Sequence, residues 1–264
     1  RRTRADLAKA ACPCAGRCSA QMTGQKQNRN QRFKRIDDLF GSGGMAVAGG
    51  ADGGTRVWLF RSDHLGASAD TTDATARYSG ATLGIGRLHA DTDLNGDGYA
   101  ELVFTDEPAQ GLTASGGGIY VFDADANGGG NHLLANPDWH LAVGDDVTSW
   151  LRGSTLGDAT DDGHPDVVTC LPDYSSDELA LRGACLVVPG DGTLAGVDDV
   201  VDTAVWGVEG AGARERLGRG QWQPVLADLD GDGHQDLALT LEQGGEVLVF
   251  LEVDGRTGLD RTGD

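Results

Sequence analysis

The chain has 264 residues, with 42 Gly, 7 Pro and a net charge of −20. Its 39% hydrophobic content allows a core, and no apolar run approaches the roughly 18 residues that a membrane-spanning helix needs. The charge is split: residues 1–36 hold ten Lys and Arg against Asp6, whereas residues 37–264 hold 40 of the 41 acids, so this acidic body is a poor nucleic-acid binder and a good cation binder.

Residues 1–36 read as a basic leader without fixed structure, since Cys12, Cys14 and Cys18 stand among Arg, Gln and Asn with no hydrophobic period. A lipoprotein cysteine is disfavoured by Lys9, and a metal site at C-x-C-x3-C lacks a fourth ligand at suitable spacing.

The rest of the chain superposes on itself. Asp93-Leu-Asn95-Gly-Asp97-Gly98-Tyr99-Ala-Glu101, Asp158-Ala-Thr160-Asp-Asp162-Gly163-His164-Pro-Asp166 and Asp228-Leu-Asp230-Gly-Asp232-Gly233-His234-Gln-Asp236 share the form D-x-[DNT]-x-D-G-x-x-[DE]. The loops start 65 and 70 positions apart, and each is followed by a β-rich run. A second β run comes next: Gly118–Phe122, Ala184–Val188 and Glu246–Phe250. Two units then carry a further run with Trp139 or Trp206, for which packing on an outer strand is the first reading and sugar stacking the second. A degenerate unit precedes them: Met45–Gly49 and Thr55–Phe60 match the strands, but no acidic loop stands before them. The runs are short and bounded by Gly, Asp and Pro, which predicts strands.

The sequence therefore predicts an all-β chain of four-stranded antiparallel units with about three to four propeller blades present, as a fragment or partial propeller. The segments are the leader 1–36, a degenerate blade at 37–80, blades at 81–148 (loop 93–101) and 149–213 (loop 158–166), and a blade at 214–264 (loop 228–236) that lacks its outer strand. Cys170 and Cys185 lie in adjacent β runs. They face each other if the runs pair antiparallel, giving either a cross-strand disulfide, and so an oxidising compartment, or two buried thiols.

Alternate positions of a tight loop can aim oxygens at one hard cation such as Ca²⁺. Asp93, Asn95, Asp97, the Tyr99 carbonyl and Glu101 fill positions 1, 3, 5, 7 and 9 of the first loop. Asp158, Thr160, Asp162, the His164 carbonyl and Asp166 do so in the second, and Asp228, Asp230, Asp232, the His234 carbonyl and Asp236 in the third. Up to three structural Ca²⁺ ions are expected. An EF-hand is excluded, because position 12 is Phe104, Thr169 or Leu239 rather than Glu, and strands rather than helices follow.

These loops, in register with their flanking strands over about residues 37–254, resemble the FG-GAP repeat family, the propeller of integrin α chains and of secreted bacterial proteins. Leu-Gly at 83 and 217 and Leu-Arg at 151 stand where that family has Phe-Gly. The resemblance implies a seven-bladed propeller and an extracellular or cell-surface module for protein interaction or adhesion. The alternatives are a lectin-like propeller that binds a glycan at its loops, or a non-catalytic accessory domain of a larger secreted enzyme. No nucleophile elbow, H-E-x-x-H or phosphate-binding glycine loop occurs, so no enzymatic activity is expected.

Overall fold

The computed structural model describes residues 33–36, 46–50, 56–61, 72–79, 85–106, 117–123, 130–133, 135–144, 147, 149–176, 181–193, 195–220, 223–241 and 245–262. The chain is all-β, and its described strands form four sheets.

The first sheet orders β1 (Phe33–Ile36), β2 (Ala46–Gly50), β3 (Arg56–Arg61), β4 (Ala76–Ser79) and β8 (Gly130–Leu133). The second contains β5 (Ile85–His89), β6 (Leu102–Asp106), β7 (Gly118–Phe122), β9 (Trp139–Ala142) and β13 (Gly196–Asp199). The third contains β10 (Arg152–Gly157), β11 (Asp166–Leu171), β12 (Ala184–Val188), β14 (Trp206–Glu209) and β18 (Gly258–Arg261). The fourth is β15 (Val225–Ala227), β16 (Asp236–Leu241) and β17 (Glu246–Phe250). A single helical turn, α1 (Val200–Thr203), joins β13 to β14, with the Asp199 carboxylate accepting from the Val201 and Asp202 amides.

The repeat is visible in the register. Leu102 faces Phe122, Val167 faces Val188 and Leu237 faces Phe250 at equivalent positions. Alternation along these strands sends one set of side chains to the preceding sheet and the other to the following sheet. Tyr78 and Leu59 of the first sheet thus pack with Phe104 and Phe122 of the second. Val121, Trp139 and Leu141 pack with Val167, Leu186 and Val188 of the third. Val187, Trp206 and Val208 pack with Leu237 and Leu239 of the fourth. In the fourth sheet Val247 and Val249, equivalent to buried Ile119 and Val121, are 63% and 50% exposed.

Two features depart from the sequence reading. The leader boundary at 36 falls too late, because Phe33–Ile36 is a strand paired with Ala46–Gly49. Residues 1–32, including Cys12, Cys14 and Cys18, and the gap at 37–45 lie outside the described residues. The other departure is that three sheets have five strands instead of four. In each, the last strand is lent by the following unit and runs parallel to the outer strand: β8 beside β4, β13 beside β9, and β18 beside β14. Each lent strand opens on a glycine with positive φ, Gly130 (100°), Gly196 (92°) and Gly258 (84°). Those amides bond to the carbonyls of Thr75, Asp138 and Val205, respectively. Residues after β17 thus complete the third sheet rather than their own.

Cys170 and Cys185 are directly opposed in the β11–β12 ladder and are joined by a disulfide. Gly218 (φ 77°) lies against it: a Cβ there would meet Cys170 Sγ at 2.7 Å and Cys185 Sγ at 2.9 Å.

Candidate metal centres in the acidic loops

The three acidic loops share one scheme of hydrogen bonds with local differences, because short Asp and Asn side chains reach backbone amides two to five positions ahead. Position 1 anchors the bend. Asp93 accepts from Gly96 (2.7 Å), Asp97 (3.2 Å) and Gly98 (2.8 Å). Asp158 accepts from Asp162 and Gly163, each at 3.0 Å, and Asp228 from Gly231 (2.6 Å) and Gly233 (3.1 Å). At position 3, Asn95 and Asp230 accept from the amides of Asp97 and Asp232. At position 5, Asp97, Asp162 and Asp232 each accept, at 2.8 Å, from the amide of Tyr99, His164 or His234, the residues whose carbonyls are the expected position-7 ligands. Glycine is required at position 6, since Gly98, Gly163 and Gly233 have φ of 94°, 90° and 99°.

Position 9 differs from the rest, because Glu101, Asp166 and Asp236 are fully buried at the start of the next strand. Each reaches back to the amide at position 2: Glu101 to Leu94, Asp166 to Ala159 (2.7 Å) and Asp236 to Leu229 (2.7 Å). The two Asp residues use their second oxygen to hold the chain leaving the next strand, at Gly190 (2.9 Å) and Glu252 (3.2 Å). Glu101 has no such use for its second oxygen. Its Oε1 is sealed from solvent and has no hydrogen-bond partner among the described residues.

The electrostatics follow from this placement. Burial pushes the Glu101 carboxyl up to about 7, opposed by the Leu94 amide and reinforced by the charges of Asp93, Asp97 and Asp123. Burial also raises Asp166, against the amide bonds from Gly190, Thr160 and Ala159. Asp161 and then Asp254 raise the His234 imidazole.

Carboxylate oxygens gather within 4.8 Å of one another in the first loop (Asp93, Asp97, Glu101) and in the third (Asp228, Asp230, Asp236). In the second, Asp158, Asp162 and Asp166 form no such group, and Thr160 supplies a hydroxyl where the others have a carboxamide or carboxylate. The first and third loops therefore gather acidic groups that could hold a metal ion, and the second does not.

No known protein-family model matches this chain, and no curated protein matches it either. The reading of its function thus rests on the residues alone.

Two further constellations join residues that are distant in the chain. Trp139 Nε1 donates to Asp198 (2.7 Å) and Trp206 Nε1 to Asp260 (2.9 Å), each across the seam to a lent strand. A G-x-D pattern at 196–198 and 258–260 was the available signal. The His234 ring, Asp161 and Asp254 also converge, and these residues lie in three segments that no single motif joins.

Proposed function

We propose that the chain is a non-catalytic, Ca²⁺-binding array of propeller-type blades, working outside the cell as a scaffold that presents its loops to a protein ligand. The observation that carries the calcium reading is Glu101. A buried carboxylate oxygen without a partner, beside Asp93 and Asp97, is costly unless a cation or a proton neutralises it. A hard divalent ion fits an all-oxygen set of this kind. Support for the blades comes from the strand register shared by three units and from sheets stacked face to face in chain order. The Cys170–Cys185 disulfide supports an oxidising compartment.

The glycan-binding alternative draws nothing from Trp139 and Trp206. Both are buried, with 6% and 1% exposure, and their indole nitrogens are engaged within the protein, so neither offers a stacking face.

The test is thermal unfolding in calcium and in excess EGTA. At about 1 mM Ca²⁺ and a Kd of about 0.1–1 mM, each ion adds about 0.4–1.4 kcal/mol. Two filled loops then raise the Tm by about 2–10 °C. An identical melt in both buffers overturns the proposal.

A further inference from the structure

The backbone of His234 belongs to the third acidic loop, but its ring points elsewhere. Nδ1 lies 3.3 Å from Asp161 Oδ2 and 4.0 Å from Asp254 Oδ1. The three donor atoms are all within 4.8 Å of one another. They come from the second acidic loop, the third acidic loop and the turn after β17, so the group spans the seam between the third and fourth sheets. Nδ1 is closed to solvent and makes no hydrogen bond, although the side chain as a whole is 42% exposed.

Asp161 is the unusual member. It occupies position 4 of its loop, where the other two loops have Gly96 (φ 76°) and Gly231 (φ 86°). Asp161 keeps the same left-handed backbone (φ 57°), which costs an L-residue about 1 kcal/mol. Its carboxylate is the one that meets the next loop's imidazole. The preceding seam has no counterpart: His164 lies against Gly192, and the residue equivalent to Asp161 is Gly96.

We propose that Asp161, His234 and Asp254 form a binding site for a divalent transition-metal ion of the Zn²⁺ type, built from side-chain atoms that the calcium reading does not use and clamping two sheets together. One imidazole nitrogen and two carboxylates are a donor set that Zn²⁺ accepts at about 2.0–2.2 Å, whereas hard cations prefer oxygen alone. Tetrahedral bonds of that length put donor atoms about 3.3–3.5 Å apart. The Asp161–His234 pair is already there, and Asp254 has to close on His234 by about 0.5–0.7 Å. Asp161 and Asp254 are 54% and 35% exposed, so the cluster opens to solvent, and a water can take the fourth position.

The experiment is isothermal titration of the 264-residue chain with ZnCl₂ in saturating CaCl₂. Serine replaces Cys12, Cys14 and Cys18 in every sample, so that thiolates do not contribute. The expected result is one Zn²⁺ per chain, with Asp161→Gly and His234→Gln each weakening binding by about tenfold or more, since loss of a mere outer-shell partner of a ligand already costs about 10–100-fold. Asp161→Gly is compatible with folding, because glycine holds this position in the sister loops. It leaves the calcium titration unchanged, since position 4 is not a calcium ligand. No zinc heat in the parent chain overturns the proposal. So does equal zinc affinity in Asp161→Gly, which reduces the cluster to an imidazolium ion pair. Zinc binding without calcium binding leaves this site standing and removes only the calcium reading.

Discussion

Trp206 donates its indole N–H to Asp260, 2.9 Å away and 54 positions later in the chain. Asp260 sits on the strand that the fourth unit lends to the third sheet, and Arg256 stacks over the same indole at 5.4 Å while approaching Asp260 at 3.4 Å. Trp139 and Asp198 repeat the arrangement one unit earlier. The lent strand is thus fixed by a buried donor as well as by its ladder.

Loss of that donor is expected to cost stability. Trp206→Phe leaves the Asp260 acceptor without its indole partner and is expected to lower unfolding free energy by about 1–3 kcal/mol. Asp260→Ala orphans the indole by a similar amount. Urea denaturation of the double variant is expected to show less than the sum of the two single losses. Full additivity would separate the two residues energetically.

The disulfide and the glycine over it make a second prediction. Reducing Cys170–Cys185, with a sequence separation of 15, is expected to cost about 3 kcal/mol through the loop it releases in the unfolded chain. Gly218→Ala is expected to destabilise the oxidised protein by about 1–3 kcal/mol, because its Cβ meets both sulfurs and its φ is positive. Parallel melts with and without reductant check both. A wild-type Tm for Gly218→Ala would show that the seam yields freely.

Glu101 gives a pH dependence. Its folded pKa of about 7 lies above the ordinary 4.5, so between these values the folded state binds more protons than the unfolded. In chelator, stability is therefore expected to fall as pH rises from about 4.5 through about 7, by at most about 3 kcal/mol from this group. Glu101→Gln is expected to flatten that slope and to be the more stable protein at pH 8 in EGTA, while losing the calcium response of the first loop. Equal slopes for the two proteins would remove Glu101 as the origin.

Positions 5 and 9 of a loop are expected to fail differently. Asp232 is exposed and organises only its own bend, so Asp232→Ala is expected to weaken calcium binding with a small effect on the melt in EGTA. Asp236 is buried and holds Leu229 and Glu252 together, so Asp236→Ala is expected to cost about 2–4 kcal/mol even in chelator. Calorimetry of both variants in EGTA distinguishes the roles. Equal losses would contradict them.

What could be read from the residues in order is local. The spacing of acids, glycines and β-rich runs pointed to the paired strands that follow each loop, the three acidic bends and, on antiparallel pairing, the opposition of Cys170 to Cys185, because turn chemistry and period-two alternation act within a few residues. Which strand joins which sheet emerged from the folded arrangement alone. The lent strands β8, β13 and β18 are short and pair in parallel with partners 52 to 57 positions away, which local propensity does not encode. The same holds for the functional atoms. That Glu101 keeps one oxygen without a partner, and that Asp161 meets His234 across a seam, depends on how neighbouring sheets stack and shut out water.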